Sequence, residues 1–138
     1  MLKAIKKILV PLDGSTYSKK ALNLAILISK DKNTAITGIH IIHIPIKFGS
    51  KIKRQYEKNA AKIMRAASNV AKKARVQFKE KITTNGYVGR EIVNFAENNQ
   101  FDLIVMGSRG PNPIAEMFLG SVANYVVTKS KIPVLITK

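Results

Sequence analysis

Apolar and polar positions alternate along this chain in blocks whose period changes from near-continuous to helical and back. Residues 5–12 are apolar apart from two lysines and read as a buried strand; Asp13-Gly14-Ser15 then reads as a turn. Ser18 is expected to cap a helix in which Ala21, Leu22, Ala25 and Ile28 fall at helical spacing. Residues 35–44 are β-branched and apolar almost throughout, the signature of a strand covered on both faces, with Pro45 ending it. Tyr56, Ala60, Ile63, Ala67, Val70 and Ala74 recur every three or four residues and predict a long amphipathic helix. A third strand is expected over 76–83, with a chain break at Gly86. A helix carrying Ile92, Val93 and Ala96 should end near Asn98-Asn99. Residues 102–106 form the fourth expected strand; Val122, Tyr125 and Val126 mark a last helix, and 133–137 a final strand.

Strands alternating with helices predict an α/β doubly wound fold: a five-stranded parallel sheet with right-handed crossovers and helices on both faces. Its 138 residues suit one domain spanning 1–138, with no repeat, linker or low-complexity segment. In such folds ligands bind beyond the carboxyl ends of the strands, where strand order reverses. With the order 3-2-1-4-5 the reversal falls between strands 1 and 4, and the flanking loops are Pro11-Leu12-Asp13-Gly14 and Gly107-Ser108-Arg109-Gly110. The order 2-1-3-4-5 would place it beside Thr84-Asn85-Gly86, which carries fewer special residues. The first order is favoured.

Composition narrows the chemistry. The chain has no cysteine, which removes disulfides, thiolate metal sites and thiol nucleophiles, and is compatible with a cytoplasmic location. The apolar run after Lys3, Lys6 and Lys7 is too short for a signal-peptide core, and no stretch approaches the length of a membrane span. Lys and Arg number 24 against 8 acids, a formal charge of +16. Twelve of the basic residues lie between Lys47 and Lys81, against only Glu57 and Glu80. Most of that excess maps to the polar faces of the long helix. As a rival reading, residues 47–81 form a module for nucleic acid or an acidic protein, although only Phe48 and Tyr56 are at hand to stack on bases.

The stretch MGSRGPNPIAEMFLGS, residues 106–121, follows a buried strand and carries three glycines but no Walker lysine. Glycines let backbone amides approach an anion, and Gly120-Ser121 opens a helix whose N-terminus, with the Ser121 hydroxyl, suits a phosphate. Arg109 adds a positive charge. Asp13 is a candidate acceptor for ribose hydroxyls or a ligand for Mg2+ or Mn2+ carried by the phosphates, and Ile41 and Met106 are expected to line an adenine slot. His40 and His43 lie among apolar residues, where a histidine is more often a hydrogen-bonded structural group than a base. Neither Ser15 nor Ser121 has a histidine and acid at triad spacing, so no catalytic residue is assigned and slow hydrolysis is the most expected.

The spacing Gly107-x2-Gly110-x9-Gly120-Ser121 resembles the phosphate-binding pattern of the ATP-binding branch of the universal stress protein family. The segments ILVPLDGS (8–15), GIHIIHIP (38–45), FDLIVMGSRG (101–110) and IPVLI (132–136) are similar to that family's landmarks in order, so the resemblance covers essentially the whole chain. It implies an adenine nucleotide alpha hydrolase-like sheet of order 3-2-1-4-5, ATP in the crevice, and a homodimer paired through the last strand. Pro11, Asp13 and Ile41 match positions that contact adenosine. Gly107, Arg109, Gly110, Gly120, Ser121 and Val122 match the phosphate-loop region, with Leu12, Met106 and Ser108 completing the expected site. Pro111 and Pro113 depart from the pattern by removing two amides. The uncharged strand Val134-Leu135-Ile136-Thr137 would be an exposed edge in a monomer, which agrees with a dimer. On this reading, Gly107→Val or Gly120→Ala removes ATP binding and leaves the fold intact.

Overall fold

The computed structural model describes residues 4–44, 49–111, 113 and 119–138. Pro45, the expected end of the second strand, and Lys47 and Phe48 of the basic region lie outside the described residues, as does Lys3. The chain runs β1 (Lys7–Pro11), α1 (Thr16–Ser29), β2 (Ala35–Ile42), α2 (Ser50–Lys73), β3 (Gln77–Thr84), α3 (Val88–Asn98), β4 (Leu103–Gly107), α4 (Ser121–Lys129) and β5 (Val134–Thr137). The strands form one parallel sheet of order β3-β2-β1-β4-β5, the favoured order.

Each central strand is apolar on both faces because each face meets helices. Ile8 and Val10 of β1, with Leu103 and Val105 of β4, pack against Ala21, Leu22 and Ala25 of α1 and Met64 and Ala67 of α2. Leu9, Ile104 and Met106 point the other way, to Ile92, Val93 and Ala96 of α3 and Ala123 and Val126 of α4. This period-2 division makes two cores, one on each side of the sheet. The carboxylate Asp102 Oδ2 accepts the Lys6 and Lys7 amides at 2.8 and 3.0 Å, fastening the starts of β4 and β1 together.

Three local expectations are corrected. The cap of α1 is Ser15, whose Oγ accepts the Ser18 amide at 3.2 Å; Ser18 lies inside the first turn, buried. β1 and β2 are shorter than their apolar runs, and His43 is exposed beyond β2. On α2 the buried stripe is Ala60, Met64, Ala67 and Ala71, while Tyr56 and Val70 are 39% and 41% exposed. The 3.6-residue period centres the core stripe on Met64 and Ala67, so Ile63 and Val70 fall on the flank that faces α1. The lysines of β3 also have a simple role: β3 is an edge strand, and exposed Lys79 and Lys81 discourage pairing with another chain.

Candidate functional site

The strand order reverses between β1 and β4, and the loops that leave their carboxyl ends part in opposite directions around α1 and α4. Between them, on the α3/α4 face, lies a cleft of about 570 Å³. Its described lining includes Pro11, Leu12 and Asp13 from the end of β1, Ile41 from β2, and Met106, Gly107, Arg109 and Gly110 from the end of β4; Gly120, Ser121 and Val122 from the start of α4 complete it. Every predicted site residue is thus brought to one cleft except Ser108. Ser108 is buried and structural: its amide donates to the Thr137 carbonyl at 2.8 Å and its carbonyl accepts the Gly120 amide at 2.7 Å. Those two bonds tie the β4 loop to β5 and to the start of α4.

The β1 loop is held from several sides. Gly14 adopts φ +86°, a left-handed conformation that a side chain would strain, and this turn directs Asp13 back toward the cleft. Asp13 Oδ1 accepts the Ser15 amide at 2.8 Å, closing an Asx turn. His40 Nδ1 donates to the Leu12 carbonyl at 2.6 Å, and the Leu12 amide donates to the Ile39 carbonyl at 2.8 Å. His40 is therefore a structural group that fixes the loop against β2.

Across the cleft the glycines act by lacking a side chain, not by unusual backbone angles; neither Gly107, Gly110 nor Gly120 has positive φ. A Cβ on Gly107 would stand 2.7 Å from Tyr17 Cβ and 2.8 Å from the Tyr17 carbonyl carbon, so Gly107 is where α1 crosses the end of β4. A valine there must displace backbone, which corrects the expectation that Gly107→Val leaves the fold intact. A Cβ on Gly110 would lie 3.4 Å from Asp13 Oδ2, which places the two loops face to face. Among the described atoms a Cβ on Gly120 would make only ordinary contacts, 3.5 Å from Arg109 Cα and Ser108 O.

The starts of α1 and α4 differ in a way that matters for anions. Ser15 caps α1 with its own hydroxyl, whereas Gly120 at the start of α4 has no side chain with which to do so. The first three amides of α4, those of Ser121, Val122 and Ala123, have no intrahelical carbonyl to bond and take no side-chain cap from Gly120, and all three residues line the cleft. The Asn124 amide is the first to bond within the helix, to the Gly120 carbonyl at 2.9 Å. The cleft therefore pairs a polar end, built from these amides, Arg109, Gly110 and Asp13, with an apolar end built from Ile39, Ile41, Val88, Ile92 and Met106.

Reading the sequence missed several lining residues. Val88 and Ile92 stand one turn apart on α3, a spacing that marks them only as core, and Ile39 and His40 adjoin the predicted Ile41. Ser18 was assigned to a cap. Among the described residues no cluster of three or more acidic, histidine or cysteine side chains could hold a metal ion, and no helix is long and apolar enough to cross a membrane.

A family model described as the universal stress protein family matches residues 4–138. Universal stress protein YxiE of Bacillus subtilis is 35% identical over 96% of this chain and 98% of its own length. Universal stress protein MJ0531 of Methanocaldococcus jannaschii is 33% identical over 96% of this chain and 82% of its own. Among solved structures, protein MJ0577 of the same organism superposes with a TM-score of 0.88 at 30% identity, covering 97% of this chain and 96% of that one. A universal stress protein in complex with cAMP superposes at 0.78 with 27% identity, covering 99% of each chain.

Proposed function

We propose that this chain, which belongs to the universal stress protein family, is a nucleotide-responsive regulatory protein that holds ATP in the cleft between the β1 and β4 loops. The observation that carries this reading is the uncapped start of α4. Three backbone amides with no intrahelical carbonyl and no side-chain cap from Gly120 open onto a cleft whose far end is apolar. Ile41 and Met106 would flank the adenine, Pro11 and Asp13 the ribose, and the phosphates would take the amides of α4, the Ser121 hydroxyl and Arg109. That a relative of 27% identity has been solved with cAMP supports an adenine nucleotide as the ligand class.

The polar end fits a divalent cation only as a companion of the phosphates. Among the described lining residues Asp13 is the single carboxylate, and its Oδ1 already accepts the Ser15 amide. Mg2+ or Mn2+ would be bound mainly by phosphate oxygens and water, with Asp13 as one ligand, and would neutralise phosphate charge. On this reading ATP serves as a signal and turnover is slow at most. We further propose a homodimer through β5, an edge strand whose Leu135 is 38% exposed. Light scattering at micromolar concentration should give twice the chain mass, and a monomer would remove that proposal.

Ser121→Glu tests the nucleotide site. Ser121 is exposed at the first position of α4, where a carboxylate stabilises the helix by about 0.3–1 kcal/mol yet occupies the ground of a phosphate. Titration calorimetry should show ATP binding in the parent protein and none in the variant. Absence of ATP binding by the parent, or equal affinity in both, overturns the reading.

A further inference from the structure

The crevice between the β1 and β4 loops also opens on the opposite face of the sheet, into a groove of about 870 Å³ between α1 and α2. One wall is the flank of α2, where Asn59, Ile63 and Val70 recur at helical spacing beside Lys62; the other is α1, which contributes Lys19 and Asn23. Val70, 41% exposed, is an apolar side chain spent on this wall and not on the core.

The chemistry of the wall is one-sided. Lys19 and Lys62 offer ammonium donors and Asn23 and Asn59 offer amide donors, all on exposed residues. Among the described lining residues the only carboxylate is Asp13, and its Oδ1 is engaged by the Ser15 amide at 2.8 Å. Ile63 and Val70 supply an apolar surface between the two lysine-bearing helices. Volume also fits, since ligand sites run from about 300 to 1,000 Å³.

We propose that the α1/α2 groove is a second binding site, for a small amphipathic organic anion. The carboxylate, sulfonate or phosphate head pairs with Lys19 and Lys62, and the apolar body lies on Ile63 and Val70. The site lies on the opposite face of the sheet from the nucleotide cleft and meets it at the loop residues Leu12, Asp13, Ser18, Gly110, Pro111 and Pro113.

The test uses two dyes of similar size, 8-anilino-1-naphthalenesulfonate and the neutral N-phenyl-1-naphthylamine, titrated against the full chain by fluorescence. The sulfonate should bind saturably and about tenfold tighter than the neutral dye, because the two lysines add charge-assisted bonds. Lys19→Ala/Lys62→Ala should weaken sulfonate binding about tenfold, whereas Lys72→Ala/Lys73→Ala, the same charge loss at the far end of α2, should change it less than about twofold. Ser121→Glu, in the nucleotide cleft, should leave it unchanged. Should the alanine pair lose its circular dichroism spectrum, Lys19→Gln/Lys62→Gln gives the same readout. The proposal is overturned by any of four results: no saturable binding, equal affinity for the neutral dye, equal loss in both lysine pairs, or loss in Ser121→Glu.

Discussion

The two openings of the crevice share the described residues Leu12, Asp13, Ser18, Gly110, Pro111 and Pro113, yet they are built from different material. On the α3/α4 face the polar groups are mostly backbone: the amides of α4 and the glycines that bring main chain to the surface. On the α1/α2 face they are the ends of long side chains, Lys19, Lys62, Asn23 and Asn59, on two helices. Backbone donors are placed by the fold and lose little entropy on binding, so they suit one ligand of defined geometry. Flexible ammonium groups cost rotamer freedom and accept many anions. On the proposed reading the first face suits recognition of one ligand, and the second charge and shape in a looser sense.

The most severe way to break this comparison is Gly107→Val, which damages what both faces rest on. With α1 backbone 2.8 Å from the added Cβ, the variant should lose about 3 kcal/mol of stability in urea unfolding, and ligand binding on both faces should fall with it. A midpoint equal to the parent's would mean that α1 does not seat on β4 as described. Next in size is Ser121→Glu, expected to cost at least a hundredfold in ATP affinity, about 2.7 kcal/mol, with the unfolding midpoint held or raised. A fallen midpoint would assign the loss to folding and not to charge at the site. Gly120→Ala is a finer cut. Its methyl group meets no described atom closer than 3.5 Å, so stability should change by less than about 1 kcal/mol and ATP affinity by only about fivefold, short of the full loss expected from the sequence. Complete loss of ATP binding would show that the phosphate lies closer to Gly120 than the uncapped amides alone require.

The same contrast explains what could be read from the chain. The order of strands followed from alternating apolar blocks and from where unusual loops fell, since Ile8, Val10, Ile104 and Val105 had to be buried on both faces. The first cleft was legible because its lining loops carry glycines at fixed spacing, and a gap in capping is visible as Gly120 where α1 has Ser15. Ser108, named by the same logic, is absent from the described cleft lining. Its neighbours form the loop surface, but its own amide and carbonyl are spent on Thr137 and Gly120. The second opening left no such mark. Lys19 and Lys62 are 43 positions apart in the chain, and each looks like any solvated lysine until the helices are set side by side. Val70 was counted with the core because periodicity locates a stripe only to within a residue or so, and the choice between Val70 and Ala71 is made by packing.

The smallest expected effect is also the one that decides whether the two faces are separate in energy as well as in space. Asp13, Ser18 and Gly110 belong to both walls, and Asp13 is joined to Ser15 and Ser18 through its carboxylate and its amide. A nucleotide that draws Asp13 toward its ribose must carry the start of α1 with it, because Ser15 is also the cap of that helix. Lys19 stands one turn beyond that cap, its amide bonded to the Ser15 carbonyl at 3.1 Å. The shift is confined to one turn, so saturating ATP should change affinity for the naphthalenesulfonate by about threefold, in either direction. By linkage the dye must change ATP affinity by the same factor, and calorimetry in each order measures both. Factors that agree and differ from one make the β1 turn the coupling element; factors equal to one mean that Ser15 and Asp13 hold the turn rigidly enough to insulate the two sites.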